Sequence, residues 1–152
     1  MLYDSFLEKH SIGNREKLHH ILAWIKKIGD KTSAFEQYFR NEAQIADARA
    51  LSPIGKEKSP VFVQIDDNGK NEIVANNLRL YCMRANARVV FLFNGDIKTA
   101  SKAQNCPNVK SHFLLANKLT KLLTEAFETG DIRWINNYSE IEVDDDFRLE
   151  WD

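Results

Sequence analysis

Two apolar stretches set three residues apart constrain this chain more than any other feature. Leu78-Arg-Leu-Tyr-Cys-Met-Arg84 and Arg88-Val-Val-Phe-Leu-Phe93 are rich in β-branched, aromatic and aliphatic residues, the composition of strands. Only Ala85, Asn86 and Ala87 lie between them, so they are predicted to pair as an antiparallel hairpin. Side chains alternate along a strand, which puts Arg79, Tyr81 and Met83 on one face and Leu80, Cys82 and Arg84 on the other. An arginine among apolar strand residues is costly unless it is paired or faces a cleft.

The flanking segments read as helices before the sheet and one after it. Residues 4–10 suit a short helix. Asn14 is a suitable N-cap for a second, in which Leu18, Ile21, Leu22, Ile25 and Ile28 recur at helical spacing until Gly29 stops it. Ser33-Ala-Phe-Glu36 has the form of a capping box and predicts a further helix carrying Phe35, Tyr38 and Phe39. Pro53, Gly55 and Pro60 mark a loop. Val61–Ile65 is a strand, followed by a turn at Asp67–Lys70 built on Asn68-Gly69. Residues 108–129 form a long helix with Leu115, Leu119, Leu122, Leu123 and Ala126 on one face and Gly130 as its stop. The fold class is therefore α+β: N-terminal helices, a central antiparallel sheet of three to five strands, one long helix, and a C-terminal strand or hairpin extension. With 152 residues, 43% hydrophobic and 28% charged, a single domain over 1–152 is expected. Two cysteines exclude a disulfide scaffold.

Charge is unevenly spread along the chain. Residues 73–124 carry eight Lys and Arg against Asp96 alone, net +7, whereas 125–152 carry Arg133 and Arg148 against ten acids, net −8. A +7 segment is a footprint for a polyanion. The acidic extension 131–152 contains Trp134, Phe147, Leu149 and Trp151, so it is expected to dock on the domain and bring carboxylates toward the basic face.

Most catalytic classes find no support. His10, His19, His20 and His112 lack metal-binding spacing, and there is no GxxxxGK[ST], GxGxxG or GxSxG motif. No metal and no cofactor are expected. Cys82 reads as a core residue, and Cys106, next to Pro107, as an exposed and unreactive loop thiol. No apolar run approaches the ~18–20 residues of a membrane span, and Met1-Leu-Tyr-Asp-Ser5 lacks a basic signal-peptide start. These features predict a cytoplasmic chain with no membrane association. The remaining chemistry is cationic. RNA carries its own nucleophile, the 2′-hydroxyl, so cleavage needs only positioning, charge stabilisation at phosphorus and two proton transfers.

Residues 77–104 resemble the core of the RelE/HigB-like toxins, ribonucleases of bacterial toxin–antitoxin pairs. The resemblance lies in Leu78-Arg79-Leu80-Tyr81, the short turn, Val89–Phe93, and Asn94-Gly95-x-Ile97-Lys98-Thr99 with a further Lys102. The run Leu78–Arg84 and the ending Gly130-Asp131-Ile132-Arg133 are similar to a longer branch with a C-terminal hairpin. It implies a RelE-like fold and a metal-independent endoribonuclease acting on mRNA, free or on the ribosome, with a helix-turn-helix antitoxin as partner. Arg79 matches the phosphate-contacting sheet arginine, and Lys98 and Lys102 match the basic residues at the end of the last strand. Arg84, Arg88, Lys110 and His112 are the accompanying RNA-binding candidates. Asp96 stands where the family carries an apolar or aromatic residue, and Thr99 where it carries a second lysine. The other reading is a catalytically silent relative that uses the same sheet to bind protein or RNA.

Overall fold

The computed structural model describes residues 1–42 and 47–151. It is an α+β structure. Helices α1 (Leu2–Gly13) and α2 (Arg15–Lys26) precede the strands, α3 (Lys110–Thr129) follows the sheet, and a hairpin closes the chain. The central sheet has the order β1-β4-β5, from β1 (Arg49–Leu51), β4 (Leu80–Arg84) and β5 (Val90–Leu92), all antiparallel. The two stretches that dominate the sequence are thus adjacent, with Cys82 opposite Leu92 and Arg84 opposite Val90. Strands β2 (Phe62–Ile65) and β3 (Asn71–Val74) form a separate hairpin around Asn68-Gly69, where Gly69 takes φ +77°.

Strand parity divides the core in two. Tyr81 and Met83 face a cluster built on Phe113, Ala116, Leu119 and Leu123 of α3. Leu80 and Cys82 face the opposite way, onto Phe6 of α1 and Leu18 and Ile21 of α2. The sheet is buried on both faces, so β4 reads as a nearly continuous apolar run. Each large side chain buried in this way contributes roughly 1.5–3 kcal/mol, and this burial holds α1, α2 and α3 where they are. Helix α3 ends at Gly130, which caps it at φ +85°.

The structure corrects several local expectations. Glu36 does not cap a helix: residues Glu36–Tyr38 make one 3-10 turn and the chain is extended at Phe39. The sheet captures this segment instead. Arg84 Nε donates to Ala34 O at 2.5 Å, Ala34 N donates to Ala87 O at 2.7 Å, and Glu36 lies 3.6 Å from Arg84. Helix α2 does not stop at Gly29 but continues as a π-type turn over Lys27–Lys31, closed by Thr32, whose amide and hydroxyl both donate to Lys27 O. Asn14 stands at the start of α2 without capping it, because its side chain donates to His10 Nδ1 at 2.9 Å. Cys106 is fully buried in the α3 cluster rather than exposed.

After α3 the chain forms a hairpin of β6 (Ile132–Ile135) and β7 (Glu140–Val143). Trp134 stacks on Phe127 of α3 with ring centroids 4.5 Å apart, and Phe147 and Leu149 pack against the α3 cluster. The ion pairs of the hairpin are internal: Arg133 meets Glu142 at 3.1 Å and Asp144 at 3.0 Å. No helix among the described residues is long and apolar enough to cross a membrane.

Candidate anion-binding site

The strand that ends as β4 begins two residues earlier as a looser ladder. Leu78 bridges Ile97, Arg79 N donates to Asp96 O at 3.0 Å, and Lys98 N donates to Asn77 O at 2.8 Å. This ladder sets Arg79 beside the 94–98 segment, on the Tyr81 face. The Arg79 guanidinium donates from Nε to Glu42 Oε1 at 2.8 Å and from Nη1 to Asn76 O at 2.6 Å. Lys98 Nζ donates to the other oxygen of the same carboxylate, Glu42 Oε2. The Glu42 side chain is only 3% exposed, and those of Arg79 and Lys98 are 10% exposed. Asn76 ties the site to α2. Its Oδ1 accepts from Leu78 N, and its Nδ2 donates to Lys17 O at 2.9 Å and lies 3.0 Å from His20 Nδ1.

Two further groups complete the electrostatics. Arg40 is anchored by donation to Ser52 O at 2.7 Å and Pro53 O at 2.9 Å. Burial, and after it the charge of Arg79, lowers Arg40 to about 10, while Glu42 acts the other way. The Tyr81 hydroxyl is buried with no hydrogen-bond partner among the described residues. Burial first, and then Glu42, raises its pKa. Among the described residues, Arg79 and Lys98 thus meet the Glu42 carboxylate directly, while Arg40 and the unsatisfied Tyr81 phenol interact with it electrostatically.

The remaining sequence-derived candidates are dispersed. Lys102 is exposed at the head of the 3-10 turn Ala103–Asn105. Arg84 is on the opposite face of the sheet, engaged with Ala34 and Glu36. Arg88 is exposed at the rim of an apolar groove of about 470 Å³ lined by Ile25, Ile28 and Val90 among others. Lys110 and His112 stand in the first turn of α3, and His112 lines a shallow pocket with Lys9 and Asn94. That pocket flanks Asp96, whose carboxylate accepts from Lys9 at 2.5 Å. Burial pushes the Asp96 carboxyl up, but the bonds from Lys9 and the Ile97 amide outweigh it and leave it below the usual range. Asp96 is thus a tether to α1.

Sequence reasoning missed Glu42, Arg40, Asn76 and the Tyr81 hydroxyl. Glu42 meets its partners 37 and 56 residues along the chain, and no local pattern marks such a contact. Cys106 was misread for a related reason. Its sulfur accepts from the Thr99 amide at 3.3 Å and lies 3.4 Å from the Thr99 hydroxyl. Burial raises the thiol pKa, but these bonds, with those from the Ala100 and Val109 amides, bring it down to about 6. Among the described residues, no three His, Cys, Asp or Glu side chains are grouped so as to hold a metal ion.

Stability is expected to fall as the medium is acidified. Burial is the first cause lowering the pKa of His10, His20 and His112, ahead of the partners that act on each. A histidine depressed in the folded state stabilises it above the unfolded pKa of about 6.5, and that contribution is lost as pH falls toward the folded value. Asp96, also depressed, acts in the same direction below about pH 4. Urea denaturation at pH 7.5, 6.5 and 5.5 should give midpoints that decrease in that order. A midpoint that is constant or rises on acidification would contradict this assignment of the histidines.

These elements define a mixed α+β protein with a buried cationic pair converging on one carboxylate. No protein-family model matches the chain, and no curated protein or solved structure shows significant similarity to it.

Proposed function

We propose that this protein is a RelE/HigB-like toxin, a metal-independent endoribonuclease acting on mRNA, with Arg79 and Lys98 as its phosphate-binding pair. The convergence of both cations on the two oxygens of Glu42 carries this reading. Two cations that fit two oxygens of one carboxylate also fit two non-bridging oxygens of a phosphodiester. In the reaction, the 2′-hydroxyl gives up its proton as its oxygen attacks phosphorus, and the bond to the 5′-oxygen breaks as that oxygen takes up a proton, giving a 2′,3′-cyclic phosphate and a free 5′-hydroxyl. Lys98 and Lys102 assist these two transfers. Arg79 and Lys98 stabilise the charge on the pentacoordinate phosphorane. The exposed ammonium of Lys102 holds the flanking backbone. The net charge of +7 over residues 73–124 suits this substrate, and the partner in the reading is a helix-turn-helix antitoxin that covers the basic face.

The second reading, a silent RelE-like module that binds protein or RNA, is favoured by the same contact seen from the other side. Glu42 already occupies the pair. Induced expression separates the two. Growth arrest relieved by a co-expressed helix-turn-helix protein from the adjacent gene supports the toxin, and unimpaired growth at high expression supports the module.

A further inference from the structure

We infer that Glu42 is the resident occupant of an oxyanion site, and that a phosphate-class anion binds between Arg79, Lys98 and Tyr81 by displacing its carboxylate. The inference takes its ligand class from the proposed function and adds the regulation of that site, which stands closed by its own side chain.

Three observations carry it. The first is geometric: Arg79 Nε and Lys98 Nζ each meet a different oxygen of Glu42, so the carboxylate occupies the place of an anion. The second is the charge balance. Arg79 and Lys98, the two cations in contact with Glu42, exceed it by one positive charge on side chains that are 10% exposed, and an anion of higher charge than a carboxylate is the better counter-ion there. The third is Tyr81. Its side chain belongs to the fully buried core, its hydroxyl has no partner among the described residues, and Glu42, Arg79, Cys106 and Arg40 act on it electrostatically. A buried hydroxyl without a partner is costly. A tetrahedral anion offers the additional oxygen that Glu42 lacks, and the phenol can donate to it.

Displacement leaves the sheet intact. Glu42 lies outside every helix and strand, between Arg40, whose backbone is bridged to Ala50, and β1. Arg79 keeps its bond to Asn76 O and its amide bond to Asp96 O when the carboxylate leaves. The Arg79 guanidinium therefore remains in place for the incoming anion.

The test uses the full chain and inorganic phosphate, with chloride at matched ionic strength as control. Glu42→Gln removes the resident anion and should bind phosphate at least tenfold more tightly than the wild type. Phosphate, and not chloride, should raise its Tm. Glu42→Gln/Arg79→Gln should lose the effect. Should Glu42→Gln fail to fold in chloride, it is refolded in phosphate. Recovery of the native near-ultraviolet spectrum in phosphate alone supports the site, and failure in both buffers overturns it. Equal phosphate affinity in wild type and Glu42→Gln also overturns it, as does a phosphate effect that survives in the double variant. Because this arm contains no RNA, it separates the two conclusions. Phosphate binding by Glu42→Gln without any RNA cleavage removes the ribonuclease and leaves the latch. Growth arrest by the wild type with no phosphate response in Glu42→Gln removes the latch and leaves the ribonuclease.

Discussion

Gly95→Ala should abolish the native fold or cost at least about 4 kcal/mol, at the extreme of single-substitution effects. A β-carbon at this position would stand 1.8 Å from Arg79 O and 2.8 Å from Arg79 C. Both are backbone atoms, and neither can yield without opening the ladder between residues 77–81 and 94–98. That ladder is secured on either side of the glycine, by Tyr81 N donating to Asn94 O and Arg79 N donating to Asp96 O, both at 3.0 Å. The requirement is close approach, since no positive φ is recorded at Gly95. The control is Gly13→Ala, where nothing lies within 4 Å of the added carbon. Thermal denaturation should show the Gly95 variant unfolded or grossly shifted and the Gly13 variant nearly unchanged. A Gly95→Ala protein of wild-type stability would mean that the two segments do not approach in this way.

Arg79→Ala should cost about 3–5 kcal/mol, the usual result of removing one partner from a buried ion pair. The carboxylate left behind is 3% exposed, so water cannot replace the guanidinium, and the Asn76 carbonyl loses its donor as well. Lys102→Ala provides the contrast. Its side chain is exposed, and its removal should stay within about 0.5 kcal/mol. Urea titrations of the two variants read this difference directly. Were Arg79 a solvated residue on an open RNA-binding face, both substitutions would be equally mild. For the same reason, replacing Arg79 and Lys98 by alanine tests folding before it tests function, and isosteric neutral replacements are the better probes of activity.

What the sequence made legible follows from range and period. The β4–β5 pairing was readable because two apolar runs lie three residues apart and can pair only with a short turn. Helix α3 was readable because its apolar stripe is long and ends on Gly130, and the β2–β3 turn because Asn68-Gly69 tolerates its geometry. Parity alone put Tyr81 and Met83 on one face and Leu80 and Cys82 on the other, as the two core clusters show, and Arg84 meets Ala34 of the second cluster. Failures occurred where tertiary partners override local preference. Ser33–Glu36 has a helix-start pattern, yet Arg84 and Ala87 take up the Ala34 backbone. Cys106 beside a proline reads as a loop, yet the start of α3 and Thr99 enclose its sulfur. Glu42 was invisible for a more basic reason. A lone glutamate outside any periodic segment carries no local mark of the two cations it meets, and the lysine and arginine it joins look free until the chain is folded.

Arg79 and Lys98 are proposed to act on an RNA phosphodiester without a metal. The most direct measurement is primer extension on mRNA in a translation extract, with the purified protein added after the protein itself has been freed of metal by a chelator. Discrete cleavages with 2′,3′-cyclic phosphate ends are expected, stronger with Glu42→Gln than with the wild type, and absent from a folded Glu42→Gln/Arg79→Gln/Lys98→Gln variant. Intact mRNA with both the wild type and Glu42→Gln, or cleavage that persists in the folded triple variant, would contradict the proposal.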